Sequence, residues 1–425
     1  MNKKIFLLIA NIIFYLYLDT KYFLLLFLEI IISYLIAKIL ESNKNKTYLV
    51  CGVTIVVFIL AFFKYSNFII RKTNLSLNIL MPIGISYYSF KIISYLIDTY
   101  KNTIKYKAAF IDYFIYISFF PQILSGPISR PNEIIEQLNA ENIIAKDKIV
   151  QGIELILAGL FKKYVIANRI ANYTSLVFGN YNSYPSIALW LCMFLFSIQL
   201  YCDFDGYSKI AIGVSNILGF NIADNFKTPY FSYNIKQFWN RWHISLSSWL
   251  KDYIYIPLGG NKCSKLRKNI NILITFIISG IWHGNTINYL IWGIYHGIVN
   301  ILSFKKPKNK LDNFLKTLTT FIIVSFGWIV FSIKDLRSII SYIAKMFKGF
   351  SLSYDNIVSS IFPFTNDYSC LAFFLCLYIF IVILLIFELN DQKNKKNISI
   401  RVAIYILAII LFGKFGTSAF LYANF

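Results

Sequence analysis

The chain has few of the residues that would build a disulfide-linked or zinc-binding protein. Its 425 residues include six cysteines and three histidines. The cysteines form no Cys-x-x-Cys pair and have no histidine at the spacing of a zinc ligand set, so the sequence predicts neither a disulfide framework nor a metal site. We expect the cysteines to be small, buried apolar residues.

Acidic residues are also scarce, since 20 aspartates and glutamates stand against 42 lysines and arginines, a net charge of +22. In a soluble protein such a charge would indicate nucleic-acid binding. Here the cations lie in short loops between apolar runs, at Lys44–Lys46, Lys101–Lys107, Lys262–Lys268 and Lys305–Lys310. The positive-inside rule and attraction to anionic lipid explain this placement. We therefore expect membrane lipid, and no nucleic acid, among the partners.

Long apolar runs recur along the whole chain. Hydrophobic residues make up 57% of it and aromatic residues 18%, and the mean hydropathy is +0.59. The runs predict an all-α, polytopic membrane protein with about ten to twelve transmembrane or re-entrant helices. The first run, after Lys3 and Lys4, has no small-residue cleavage site behind it, so we expect a retained span and not a signal peptide.

We expect one membrane domain over residues 1–425. Its predicted parts are N-terminal helices (1–128), a polar segment (129–148), a catalytic core (149–304) and C-terminal helices (305–425). The polar segment mixes carboxylates with apolar residues at helical spacing and predicts an interfacial amphipathic helix. No long hydrophilic block is present, so we expect any soluble enzyme domain to be a separate polypeptide.

Two short segments bring tryptophan and histidine together in this apolar chain. They are FWNRWHISLSSWLKDYIYIPLGGN (Phe238–Asn261), which contains His243, and GIWHG (Gly280–Gly284), which contains His283. Ionisable groups inside a membrane protein are costly and indicate a functional site. The first segment is too polar for a lipid-facing span and suits the wall of a cavity. Its Ile256–Asn261 ending predicts a turn.

These segments and four others, in the same order, resemble the membrane-bound O-acyltransferase (MBOAT) family, in its branch of alginate and peptidoglycan O-acetyltransferase membrane subunits. The other four are MPIGISYYSFKIISYLIDTYKN (Met81–Asn102), FFPQILSGPISRP (Phe119–Pro131), YCDFDGYSKIAIG (Tyr201–Gly213) and FLYANF (Phe420–Phe425). The resemblance covers nearly the whole chain. It implies a ring of helices around a central funnel, with His283 as the catalytic histidine and His243 as the second motif histidine.

The resemblance also implies an activity. It implies transfer of an acetyl group from a cytoplasmic thioester, acetyl-CoA or an acyl carrier, across the inner (cytoplasmic) membrane to an envelope polysaccharide such as an alginate-like glycan or peptidoglycan. No bound cofactor is expected. A separate extracytoplasmic SGNH-type transferase is the implied partner.

Acyl transfer from a thioester to an alcohol needs a general base and hydrogen-bond donors for the developing oxyanion. We expect His283 to be the base, and His243 or the side chains around it to orient the thioester. The chain has no Gly-x-Ser-x-Gly segment, so a serine hydrolase triad is not predicted. The predicted substrate-binding residues are Trp239, Asn240, Arg241, Trp242, Ser245 and Trp282.

Two local features lead to further expectations. The family's Asp-Phe-Ser-Gly-Tyr-Ser-Asp is here Asp203-Phe-Asp-Gly-Tyr-Ser-Lys209, so Asp205 and Lys209 are expected to pair on one helix face. The third histidine, His296, follows His283 by thirteen positions, about 220° around a continuous helix. We expect it to face away from His283 and to be a hydrogen-bonded structural residue.

Three alternatives remain open at this point. A sister branch of the family moves D-alanine from a carrier protein towards teichoic acids. A glycan or lipid transporter would line its path with intramembrane charges such as Asp98, Asp203 and Asp205. A catalytically silent structural subunit is disfavoured because both motif histidines are present.

Overall fold

The computed structural model describes residues 3–70, 79–140, 145–361, 368–392 and 397–416, and in these ranges every regular element is a helix. The FLYANF segment lies outside the described residues. The α-helices are α1 (Lys3–Asp19), α2 (Phe23–Ser42), α3 (Lys46–Ile70), α4 (Ile85–Tyr100), α5 (Phe110–Ser118), α6 (Pro131–Asn139), α7 (Lys146–Leu160), α8 (Asn168–Gly179), α9 (Ser186–Ile217), α10 (Ile235–Trp239), α11 (Ile244–Leu250), α12 (Lys265–His283), α13 (Ile287–Ile301), α14 (Lys310–Ser332), α15 (Leu336–Phe347), α16 (Tyr354–Ile361), α17 (Tyr368–Gln392) and α18 (Ile398–Phe412). Two π-helices, Phe161–Ala167 and Lys251–Tyr255, continue α7 and α11.

Four helical stretches within the described ranges are long and apolar enough to cross a membrane. They are Lys3–Ser42, which contains α1 and α2, and the helices α3, α9 and α14. Shorter apolar helices are Leu375–Asn390 and Ile398–Phe412. The predicted all-α membrane protein is confirmed. The number of spans and their ring arrangement stay predictions.

The chain divides into two compact units. The first contains Met1–Ile156 and Ile210–Asn225, and the second contains Leu157–Lys209 and Phe226–Leu421. Both histidine segments therefore fall in the second unit, together with α12, α13 and α14.

In the first unit, two of the segments that carry the family resemblance hold each other in place. Lys91 of α4 is buried, and its Nζ donates a hydrogen bond of 2.8 Å to Oε1 of Gln122. Gly84, just before α4, has φ +75°, and a β-carbon there would collide with the carbonyl oxygen of Ile123. Glycine is required at this position both by its backbone angle and by the close approach.

The predicted amphipathic segment 129–148 forms two helices and not one. Helix α6 ends at Asn139 and α7 begins at Lys146, with residues 141–144 outside the description. The apolar residues Ile134, Ile135 and Leu138 are buried, and α6 contacts α4 and α5. Protein of the first unit therefore covers the apolar face of α6.

In the second unit, α12 and α13 form a closely packed pair. Gly280 of α12 lies against the carbonyl group of Tyr289, and a β-carbon at Gly293 of α13 would come 2.5 Å from the carbonyl oxygen of Phe276. Glycines let two helix backbones approach in this way. The close packing brings the C-terminal end of α12, where His283 lies, beside the rings of α13.

Candidate active site

His283 is the last residue of α12, and aromatic rings surround it. The side chain is 4% exposed. Its ring centroid lies 4.7 Å from that of Trp282, 5.0 Å from that of Trp292 and 5.1 Å from that of Phe331. The imidazole thus sits in an apolar cage built by α12, α13 and α14.

The short connection after His283 is tied to the end of α14. The side-chain amide of Asn288, which is fully buried, donates hydrogen bonds of 3.1 and 3.2 Å to the carbonyl oxygens of Val330 and Phe331. Its oxygen is hydrogen-bonded to the hydroxyl of Thr286. These bonds anchor the start of α13 to the residues that place the Phe331 ring against His283.

His243 lies in the turn between α10 and α11, outside the candidate membrane-spanning helices. It has a left-handed backbone, with φ +43° and ψ +55°, and its side chain is 2% exposed. Its ring packs edge-on against Phe204 of α9, with centroids 4.6 Å apart. Burial lowers the pKa of His243 to about 3, so the imidazole is neutral near pH 7.

The three tryptophans predicted to bind substrate belong to one continuous aromatic cluster in the second unit. Trp282 touches His283 directly. Trp239 lies 5.7 Å from Trp292 between ring centroids. Trp242 lies 4.9 Å from Trp328, which in turn lies 6.1 Å from Trp292. Ring contacts thus connect Trp242, the neighbour of His243, through Trp328 to Trp292, which touches His283.

The predicted polar binding residues are placed differently. Asn240 is exposed. Arg241 is partly buried, and its Nη1 donates a hydrogen bond of 3.3 Å to the carbonyl oxygen of Phe231. Ser245 is buried at 4% exposure in the first turn of α11. None of these placements tests substrate binding, so the three assignments stay predictions.

His296 does not behave as the sequence predicts. It lies on α13 and His283 on α12, so the two residues do not share one continuous helix. Both rings contact Trp292, with centroid distances of 4.8 Å for His296 and 5.0 Å for His283. Among the described residues, neither ring nitrogen of His296 has a hydrogen-bond partner. The expectation that it is hydrogen-bonded is wrong. The expectation that it faces away from His283 assumed one continuous helix, which the structure does not have.

The predicted turn at the end of the first histidine segment is confirmed. Gly259 and Gly260 have φ values of +109° and +53°. The side-chain amide of Asn271 in α12 donates a hydrogen bond of 3.1 Å to the carbonyl oxygen of Leu258. The turn is thereby fixed to the helix that ends at His283.

Comparison with known proteins identifies the family of the chain. Residues 9–306, more than half of the chain, match the MBOAT, membrane-bound O-acyltransferase, family. The chain belongs to the MBOAT family. The probable alginate O-acetylase AlgI of Pseudomonas aeruginosa is 34% identical over 354 residues, covering 79% of this chain and 68% of that protein. The peptidoglycan O-acetyltransferase of Helicobacter pylori is 30% identical over 482 residues, covering 99% of this chain and 91% of that protein.

A third relative carries a different activity in its name. The teichoic acid D-alanyltransferase of Bacillus subtilis is 32% identical over 279 residues, covering 61% of this chain and 71% of that protein. The three relatives are named for the acetylation of alginate, the acetylation of peptidoglycan and the D-alanylation of teichoic acid. This MBOAT protein is therefore a membrane-bound O-acyltransferase, and the alternatives of a transporter and of a silent structural subunit are set aside.

The MBOAT chain also contains a buried ion-pair cluster in its second unit. Nζ of Lys162 lies 2.6 Å from Asp205 and 3.0 Å from Glu388, and Nζ of Lys163 lies 2.6 Å from Asp203. All five side chains are at least nine-tenths buried. Both lysines belong to the first π-helix, so neighbouring residues of one element neutralise carboxylates from α9 and α17.

This cluster corrects the expectation for Asp205. The carboxylate pairs with Lys162 of another element, so the predicted pair with Lys209 on the same helix is wrong. The nearby residue Gly206 lies against the carbonyl oxygen of Gly159, which a β-carbon would approach to 2.9 Å. Close packing of α9 on the end of α7 thus brings the carboxylates to the lysines.

Sequence reasoning overlooked Trp292, Phe331 and Glu388. Phe331 and Glu388 lie 48 and 105 positions after His283 in helices that have no polar pattern pointing to a site, so no local signal marks them. Trp292 did carry a signal, because it lies four residues before His296 and therefore on the same helix face.

Proposed function

We propose that this MBOAT protein moves an acetyl group from a cytoplasmic thioester, acetyl-CoA or an acyl carrier protein, across the cytoplasmic membrane for O-acetylation of an envelope polysaccharide. A separate extracytoplasmic SGNH-type transferase completes the transfer. The observation that carries the proposal is a buried, aromatic-caged histidine at the position that matches the family's catalytic histidine.

In the proposed reaction His283 is the general base. His283 takes the proton of the attacking acceptor hydroxyl, and the hydroxyl oxygen bonds to the carbonyl carbon of the thioester. The carbon–sulfur bond then breaks, and the proton passes from the imidazole to the leaving thiolate. The products are an ester of the acceptor and a free thiol, and the imidazole is neutral again. A neutral imidazole can take and return a proton in this way.

The polysaccharide acceptor is supported by the relatives. One of them is named for alginate and another for peptidoglycan, and the second aligns over 99% of this chain. Alginate and peptidoglycan both present sugar hydroxyls, which are the nucleophiles that an O-acetyltransferase requires. We infer that the acceptor of this chain is also an envelope glycan, of the alginate or peptidoglycan type.

The separate partner is supported by the composition of the chain. The described residues form membrane-type and short connecting helices, and no polar domain large enough to hold a glycan occurs among them. The donor thioester is made in the cytoplasm, whereas the polymer lies outside. A second protein on the outer side would take the acetyl group and present the polymer.

Reconstituted vesicles provide the test. The purified protein is placed in lipid vesicles with acetyl-CoA outside, and thiol release is followed with a thiol reagent. We expect slow release alone, and fast release coupled to base-labile acetyl on the polymer when the partner and glycan are enclosed. Replacing acetyl-CoA with an acetylated carrier protein identifies the donor. Full-rate glycan acetylation by the single protein would contradict the two-component proposal.

The Bacillus subtilis relative favours a second candidate, transfer of D-alanine from a carrier protein to a teichoic acid-type polymer. The same vesicles distinguish the two activities. They are supplied either with radiolabelled acetyl-CoA or with a carrier loaded with radiolabelled D-alanine. We expect label in the polymer from the acetyl donor. Label from D-alanine only would replace the first proposal with the second.

A further inference from the structure

The indole of Trp292 combines two properties that suit a role beside His283. Its ring touches His283, with centroids 5.0 Å apart and planes nearly perpendicular at 85°. Its side chain is 1% exposed, and no acceptor within the described ranges lies within hydrogen-bonding distance of its Nε1. A buried donor without an acceptor thus lies beside the imidazole at the centre of the candidate site.

Such a group is unusual in a folded protein. An indole N–H is a donor only, and a buried donor without an acceptor costs about 1–3 kcal/mol. The large majority of buried side-chain polar atoms find a partner. Donors that stabilise an oxyanion are an exception, because their acceptor arrives with the substrate and gains its charge only during the reaction.

The position of the indole is held firmly. Trp292 contacts His296 at 4.8 Å, Trp239 at 5.7 Å and Trp328 at 6.1 Å between ring centroids, in addition to His283. Gly327 makes room for the His296 ring, because a β-carbon there would collide with it. Rings on several sides fix the indole plane, as preorganised electrostatic stabilisation requires.

We propose that Trp292 is a catalytic residue whose indole N–H donates a hydrogen bond to the carbonyl oxygen of the acyl thioester as negative charge develops on it. The ligand class is the acyl carbonyl itself, so the role is the same for acetyl-CoA and for a carrier-bound acyl group. The inference rests on the proposed base role of His283. The hydroxyl that His283 activates must attack a carbonyl that the indole of Trp292 can also reach.

The other indoles of the cluster fit this role less well. Trp282 also touches the His283 ring, but its side chain is 7% exposed, against 1% for Trp292. Trp239 and Trp328 also have no acceptor among the described residues, but neither contacts the His283 ring in that part of the chain. Trp239 is only partly buried. Trp328 contacts the rings of Trp292, Trp242 and His296. We therefore assign the donor to Trp292 and the supporting packing to its neighbours.

The test removes the N–H and keeps the ring. Trp292 is replaced by 3-benzothienylalanine, which has sulfur in place of the indole N–H, and in parallel by phenylalanine. Wild-type and variant proteins are compared in vesicles for thiol release, with kcat and KM determined separately and folding checked by thermal unfolding. Trp190→Phe is the control, because Trp190 is a partly buried tryptophan whose N–H already donates to the carbonyl oxygen of Met346 at 2.9 Å.

We expect the benzothienylalanine variant to lose about 100- to 1,000-fold in kcat with little change in KM, as removal of one oxyanion donor does. The Trp190→Phe control should keep kcat within about twofold of the wild type, far from the loss expected for the benzothienylalanine variant. A benzothienylalanine variant with wild-type kcat would overturn the assignment, and so would a loss confined to KM. An inactive wild-type protein would instead contradict the proposed function, so the two failures are distinguishable.

Discussion

The ring of Tyr289 lies directly over Gly284, so that a β-carbon at Gly284 would collide with it. The same ring lies 6.4 Å from His283 and 5.1 Å from Phe331 between centroids. The second glycine of GIWHG is therefore required by a side chain of the next helix. It allows α13 to close one side of the cage around His283.

Gly284→Ala should displace the Tyr289 ring and open the cage. We expect kcat to fall at least tenfold, because small misplacements in an active site cost up to about 100-fold. Thiol release in vesicles measures the effect. Gly179→Ala is the matched control, because no atom lies within 4 Å of a β-carbon there. Equal activity of the two variants would show that the Tyr289 contact has no catalytic consequence.

His283→Ala should leave a folded, membrane-inserted protein that has lost about two to four orders of magnitude in acyl transfer, the usual contribution of a general base. Envelope acetylation in a deletion strain complemented with the variant measures this loss, at matched membrane expression. Near-wild-type acetylation by the variant would exclude His283 as the base.

His243 and His296 should respond differently to substitution. His243→Ala should severely impair acyl transfer, whereas His296→Ala should mainly lower the melting temperature because it leaves a cavity beside Gly327. His243→Asn tests the imidazole alone, since asparagine tolerates the left-handed backbone at this position. Equal losses of kcat from the two alanine variants would indicate that both histidines act through packing.

The buried pair of Lys163 and Asp203 should be important for stability. Lys163→Met removes the ammonium group that lies 2.6 Å from the Asp203 carboxylate, and breaking a buried pair in this way costs about 3–5 kcal/mol of unfolding free energy. The double variant Lys163→Met with Asp203→Leu should recover most of this loss. Thermal unfolding in detergent measures both. The control Lys105→Met breaks a solvent-exposed pair with Glu136 and should leave the melting temperature unchanged.

Much of the candidate site can be predicted because its residues carry local signals. His243 and His283 are two of three histidines, and each follows a tryptophan. The turn at Gly259 and Gly260 follows from residue types that allow positive φ. The pairing of Asp205 was missed because its partner Lys162 lies 43 positions earlier in the chain and no sequence period connects them.

Composition and contiguous motifs are local properties of a chain, and they predict an all-α membrane protein of the MBOAT family with two motif histidines without any knowledge of the fold. The fold is needed to see which rings enclose His283, that Trp292 contacts both His283 and His296, and which buried charges neutralise one another. The physical reason is that these contacts join separate helices, and their geometry depends on where α12, α13 and α14 pack rather than on any residue's neighbours in sequence.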